Sequence, residues 1–357
     1  MDGAPEQACA LREAWFSASE LSDAEWPERA WGEICSRGIT RWGIPEEYGG
    51  VSLSADELLR GMIELARGSL PATFILSQFQ AAGHRLVRAA SPTLRERWLP
   101  GLASGRQFAT VGISHLTTSR QHTTQPAVQA VPTAAGYRVT GEIPWVTGGG
   151  RADVLVAGGT LPDGRQILTA IPTDNAGVTI GEPLRLAALS GSETCAVKLA
   201  DVAIEADAVM AGPMERVVQQ FGGGGAGSLM TSALGLGHAL GCLDHLRKEL
   251  AFRPELQSAI DSLSGEAEAI HTAMITAAGS GEGAGAAESL RTRSTDLALR
   301  ASQALMTASK GAGFLAGHPA ECLARQALFF LVWSCPQGVA NQLLQTFGRC
   351  ETGFEAG

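Results

Sequence analysis

The sequence predicts an α+β multidomain protein in three parts. An N-terminal α-helical domain covers residues 1–105, a central antiparallel β-domain 106–212 and a C-terminal α-helical bundle 213–357. Three observations predict it. Apolar residues recur at helical spacing up to about residue 105 and again after about 213. Between these limits, short β-rich runs alternate with turn residues, and no helix-length pattern interrupts them. Of the 357 residues, 45% are hydrophobic and 18% charged, a globular composition with material for a large core.

The elements follow in order. RWGIPEEYGG (41–50) reads as a loop. Glu46 and Glu47 are neighbours, so on a helix they would point about 100° apart and could not share a site. Pro45 suits a first helical turn, and Gly49-Gly50 permits positive φ. SADELLRGMIELARG then places Leu58, Met62, Ile63 and Leu65 near one helix face, with Ser54 or Asp56 as the cap. PATFILSQFQAAGHRLVRAA and SPTLRERWLPGLASG read as two more helices, the second opened by Ser91-Pro92.

The strand candidates are YRVTGEI, ADVLVAGGTL, RQILTAI, GVTI and TCAVKLADVAI, with Pro162-Asp163-Gly164 marking a hairpin. Without helical crossovers the sheet should be antiparallel. MERVVQQF could be helical. In the last zone Leu229, Ala233, Leu236, Leu240, Leu243 and Leu250 step along one face. Small residues at Ser228, Ser232, Gly235 and Gly241 offer close helix packing within or between subunits. SGEGAGAAE (280–288) reads as a loop, and PAECLARQALFFLVW as a last long helix stopping near Pro336.

Bulk numbers exclude several classes. The net charge is −9 with no Lys/Arg cluster, so neither nucleic acid nor an anionic membrane is an expected partner. Seven scattered cysteines without a CxxC support neither a metal site nor a disulfide framework, and fit a reducing cytoplasm. No apolar stretch approaches 18 residues, so no membrane span is expected, and the opening residues lack signal-peptide character. Gly222, Gly224 and Gly227 have a formal GxGxxG spacing, but no second parallel strand follows the helix, which argues against a dinucleotide fold. Ser192 with His238, or Cys335 with His318, have no nucleophile elbow around them. Cys195 and Cys242 sit in apolar runs and read as core.

The order helices, sheet, helices resembles the acyl-CoA dehydrogenase family. GIPEEYGGVSLS (43–54), LRERWLPGLASGRQFATVGIS (94–114), GYRVTGEIPWVTGGGRADVLVAGGT (136–160), LAALSGSETCAVKLADVAI (186–204) and GAGFLAGHPAECLARQALFFLVW (311–333) carry the likeness in the family's order. It implies FAD held between the β-domain and the C-terminal bundle. Trp145 and Thr147 would contact the isoalloxazine ring, Ile113 and Ser114 would supply a backbone and a hydroxyl contact, and Ser119 would lie near the pyrophosphate. It also implies an acyl-CoA or acyl-carrier substrate, an electron-transfer partner and a homodimer or homotetramer.

Three departures stand against that pattern. SHLTTSRQ replaces the family's Thr-Glu-Pro and Gly-Ser-Asp, putting His115 and Leu116 in place of Glu-Pro. The base expected after the last long helix, a glutamate in the family, is matched by Ser334 or Cys335. The alternative base position falls near Gly225. A serine is a poor proton acceptor at neutral pH, and a base typically contributes 10²–10⁴-fold in rate. Finally, the stretches that reach a neighbouring subunit's FAD are altered, leaving Arg247, Arg253, Thr307 and Lys310. The expectation is an FAD-binding oxidoreductase acting on the CH–CH group of an acyl thioester or related acyl substrate, its base unidentified. The alternatives are a catalytically degenerate scaffold subunit and a flavin monooxygenase of the same fold.

Overall fold

The computed structural model describes residues 3–15, 22–117, 125–221, 228–280 and 283–348. The first part is helical: α1 (Ala4–Trp15), α2 (Glu28–Ser36), α3 (Ala55–Gly68), α4 (Leu70–Arg88) and α5 (Pro92–Ala103). Local chemistry sets the starts. Ser54, not Asp56, caps α3, and Glu57 reaches back to accept the Ser54 backbone N–H at 2.9 Å, completing a capping box. Ser91 accepts the Leu94 N–H at 3.3 Å, and Pro92 fills the first turn of α5. Before α3, residues 46–48 form one 3₁₀ turn, Gly49 takes φ +83°, and Glu46 and Glu47 are exposed. Along α3, Met62, Ile63 and Leu65 are buried. Leu58 is only half-buried.

The middle part is one sheet of β1 (Ala109–Gly112), β2 (Val128–Pro132), β3 (Gly136–Val146), β4 (Val154–Thr160), β5 (Gln166–Pro172), β6 (Val178–Ile180), β7 (Cys195–Glu205) and β8 (Val209–Met214). Its order is β6-β7-β3-β2-β4-β5-β8, with β1 also on β4. Most pairs are antiparallel, but β1 runs parallel to β4, and a parallel bridge from Gln129 to Thr160 joins β2 to β4. The sheet is therefore mixed. The long passage through β2 and β3 serves as the crossover that a parallel pair needs. Gly164, at φ +86°, closes the β4–β5 hairpin.

Two apolar cores result. Leu155, Ala157, Ile167 and Ile171 point into the inner core of the sheet with Val139, Ile143, Val146 and Val197. The alternate residues Val154, Val156, Leu168 and Ala170 join the larger helical core. Period-two alternation thus lets β4 and β5 serve both, which is why β4 is buried almost throughout.

The third part contains α6 (Val217–Phe221), α7 (Leu229–Leu250), α8 (Gln257–Ser280), α9 (Gly283–Ser309), α10 (Pro319–Phe329) and α11 (Gln337–Phe347). Two expectations change here. From Gly283 onward the stretch anticipated as a loop is the start of α9, where alanines and Glu288 are good helix formers. The last long helix ends at Phe329, and a further helix, α11, follows Pro336. Central α7 is buried on several faces, and its glycines serve contacts within the chain. A Cβ on Gly237 would come 2.3 Å from the Ile63 carbonyl oxygen, and one on Gly241 2.7 Å from that of Arg67. Beside them Arg67 clamps Asp244 with two hydrogen bonds of 2.5 and 2.7 Å.

Candidate functional site

Where the three parts meet there is a cleft of about 1240 Å³. The sheet supplies one wall. In β3 the alternation turns Val146 into the inner core and Trp145 outward, and a register irregularity between Ile143 and Val146 bends the strand end. Trp145 lines the cleft and remains 48% exposed. An indole that size, left uncovered beside a deep cavity, offers a flat apolar wall.

Thr147 follows on the same wall and is fixed twice. Thr110 of β1 donates to its carbonyl at 2.7 Å, and its hydroxyl lies 3.2 Å from that of Thr194, which in turn pairs with Ser192 at 2.8 Å. Ile113 and Ser114 line the cleft at the end of β1. The Ser114 hydroxyl oxygen is buried with no hydrogen-bond partner. A buried hydroxyl normally finds one, so this atom marks a place for a polar group from outside the chain. The set of indole wall, fixed threonine and orphan hydroxyl fits a flat ring with a polar edge, as a flavin has. Ser119 and Gly225 lie outside the described residues.

The opposite wall is α10 and the turn after it. Phe329 stacks on Trp333 at 5.2 Å, and Phe74 of α4 meets both edge-on at 4.8 and 5.1 Å. Ser334 lines the cleft with φ +48°. Buried Arg291 of α9 holds this turn, donating to the carbonyls of Phe330 at 2.8 Å and Trp333 at 2.9 Å. Arg325 fastens a second rim. It pairs with Glu321 and with both oxygens of buried Asp23 at 3.0 Å, and donates to the Ala187 carbonyl at 3.1 Å. The Glu321 and Asp23 carboxylates hold its guanidinium firmly charged against the cost of burial.

Other sequence candidates are not brought together. His115 turns its Nε2 to the Gly158 carbonyl at 3.0 Å, away from the lining. His238 bonds the Leu323 carbonyl and Ser192 the Thr194 hydroxyl, so they form no nucleophile–base pair. His318 caps α10 by accepting the Ala320 N–H. Arg247 is engaged by Asp244 and Ser264. Cys195 and Cys242 are core. Among the described residues no cluster of three His, Cys, Asp or Glu could hold a metal, and no helix is long and apolar enough to cross a membrane.

The sequence reading missed a polar stripe on α4. Ser77, Gln78, Gln80, His84 and Arg85 all line the cleft. Burial holds the His84 ring below its ordinary pKa, reinforced by neighbouring Arg85, so it is neutral at neutral pH. Burial also pulls the Arg85 guanidinium down to about 10, still charged at neutral pH. Spacing alone carried no signal, because polar residues on an amphipathic helix ordinarily mean a solvent face. Among the described lining residues there is no Asp or Glu.

Comparison with known proteins agrees with this layout. The family model described as the acyl-CoA dehydrogenase N-terminal domain matches residues 10–106. The acyl-CoA dehydrogenase FadE12 of Mycobacterium tuberculosis is 26% identical over 220 residues, covering 59% of this chain and 56% of its own. The matched region thus spans little more than half the length of that relative. Among solved structures, butyryl-CoA dehydrogenase of Megasphaera elsdenii superposes with a TM-score of 0.81 at 16% identity, over 96% of this chain and 98% of its own. FMN-bound TdsC of Paenibacillus sp. A11-2, a dibenzothiophene monooxygenase, does so with 0.81 at 17% identity, over 96% of both chains. Fold and sequence alike are similar to those of acyl-CoA dehydrogenases. Residues 10–106 thus match the acyl-CoA dehydrogenase N-terminal domain, and the chain as a whole has the fold of acyl-CoA dehydrogenases.

Proposed function

We propose that this protein is an FAD-binding oxidoreductase of acyl-CoA dehydrogenase type, acting on the CH–CH group of an acyl thioester or a related acyl substrate. The observation that carries the reading is Trp145, half-exposed on a cleft wall beside fixed Thr147 and the orphan hydroxyl of Ser114. These residues would hold the ring, and Ile113 would contribute backbone next to them. When bound, FAD would supply the acceptor for a hydride from the β-carbon. The apolar lining formed by Leu58, Leu59, Leu328 and Phe329 would take the acyl chain and exclude water.

The α-proton needs an acceptor. Ser334 occupies the position where the family resemblance expects a carboxylate, and the described lining holds none. His84 is the one neutral nitrogen base among those lining residues, and we assign the proton to it. Electrons would then leave to a separate electron-transfer partner. A second reading, a flavin monooxygenase on the same fold, is favoured by that missing carboxylate, since such chemistry does not begin with α-proton removal.

Purified protein titrated with FAD, and separately with FMN, tests the flavin. Near-stoichiometric binding is expected, and a protein that takes up neither flavin refutes the proposal. An anaerobic acyl-CoA series then separates the readings. Bleaching by a thioester, slowed about 100-fold or more in His84→Gln with flavin content unchanged, is the dehydrogenase outcome. Bleaching only by NAD(P)H or by a reductase is the monooxygenase outcome.

A further inference from the structure

Gln80 sits in the middle of α4, lines the cleft and is 4% exposed. Neither its Oε1 nor its Nε2 has a hydrogen-bond partner. A buried amide in that state is expensive, since both a donor and an acceptor forfeit water without replacement. An apolar side chain of the same length would fill the space at no such cost. The cleft it lines is largely hydrocarbon: Leu58 and Leu59 come from α3 and Ala81 from α4 itself.

The position along the helix locates the amide. Phe74, six residues earlier, packs on the Phe329–Trp333 aromatic pair, so Gln80 stands about 9 Å further along the axis. His84, one turn beyond, closes against Gly43. Gln80 therefore belongs to the α4 wall of the cleft, while the Trp145–Thr147 edge comes from the sheet. Arg85, also on the lining, adds a guanidinium to the same helix.

We infer that Gln80 is a specificity-determining residue, selecting an acyl group that carries a hydrogen-bonding oxygen along its chain over a plain hydrocarbon chain. The inference rests on the acyl reading above, and gives it a substrate class: hydroxylated or otherwise oxygenated acyl thioesters. A hydroxyl accepts from Nε2 and donates to Oε1, pairing both orphan atoms at once. A methylene chain leaves them unpaired, and a site built to hydrogen-bond a substrate group discriminates strongly against the analogue lacking it.

The test uses the flavin-loaded full chain, titrated calorimetrically with octanoyl-CoA and with its derivatives hydroxylated singly at carbons 5 to 8. At least one hydroxylated ester should bind about tenfold or more tighter than octanoyl-CoA. In Gln80→Met that advantage should vanish, and the ligand-free variant should melt higher than the wild type, because the unpaired amide is gone. The inference is overturned if no hydroxylated ester binds tighter than octanoyl-CoA, if the preference survives in Gln80→Met, or if that variant melts lower. Flavin absorbance of the same samples is read first. Its absence refutes the flavin reading, whereas the calorimetric comparison reads Gln80 with or without flavin.

Discussion

The imidazole of His84 lies against the α-carbon of Gly43, so close that a Cβ on Gly43 would come 2.2 Å from Nε2. Gly43 also has φ +77°, and its N–H donates to the Val51 carbonyl at 3.0 Å. The 41–51 loop thus ends its turn on the one histidine of the described cleft lining. Gly43→Ala should meet both penalties: a strained left-handed alanine and a displaced ring. A loss of about 1–3 kcal/mol is expected in chemical denaturation. The His84 ring resonances should also shift. A variant as stable as the wild type with an unmoved ring would contradict this contact.

Trp145 should separate binding from folding. Trp145 is 48% exposed and stands on the outer side of β3, so Trp145→Ala removes about half of a tryptophan's surface from contact but leaves the inner core of the sheet intact. Stability should fall by no more than about 3 kcal/mol, and the variant should still fold. Flavin affinity should fall about tenfold or more as the stacking wall is lost. Equal flavin content in the two proteins would place the ring elsewhere.

Acid should weaken the C-terminal bundle through His238. The ring is fully buried between α7 and the Leu323 carbonyl, and burial pushes its pKa from 6.5 down to about 4. Above pH 6.5 it is neutral in folded and unfolded chains alike. Between 6.5 and about 4 only the unfolded chain takes up the proton, so stability falls as pH falls. Below about 4 both states carry it and this contribution stops changing. The expected loss across that window is on the order of 3 kcal/mol. Denaturation of wild type and His238→Gln at pH 7 and pH 4.5 checks it: the variant should lose distinctly less on acidification.

Arg291 should prove irreplaceable by lysine. One guanidinium bonds Thr295 and two carbonyls of the turn that leads to Ser334, and packs 5.6 Å from the Phe330 ring. Burial lowers its pKa to about 10, so it stays charged at neutral pH, where it meets the carbonyl end of α10. Arg291→Met should cost about 3 kcal/mol or more, because the carbonyls lose a charged donor. Arg291→Lys should recover less than half, since a single ammonium cannot span the same acceptors. Full recovery in thermal melts would refute the forked arrangement.

Much of the fold was legible where it depended on neighbours in the chain. Ser54 and Ser91 announced their helices because a cap acts within three residues. Pro162-Asp163-Gly164 announced its hairpin because a turn is four residues long. The parallel seating of β1 on β4 was not legible, since its partners lie more than forty residues apart and no local pattern encodes the choice. The start of α9 was misread because its glycines were heeded over the alanines and Glu288 beside them, which favour helix.

By itself, the sequence determined the three-part order, because this follows from periodicity, whereas Trp145 beside Thr147 and the lack of a carboxylate at the expected base position were singled out only through a family resemblance. Only the tertiary structure decided that α4 would turn Gln80, His84 and Arg85 into a cleft. A polar residue on a helix looks the same in sequence whether it meets water or a ligand; the difference lies in which distant elements close over it.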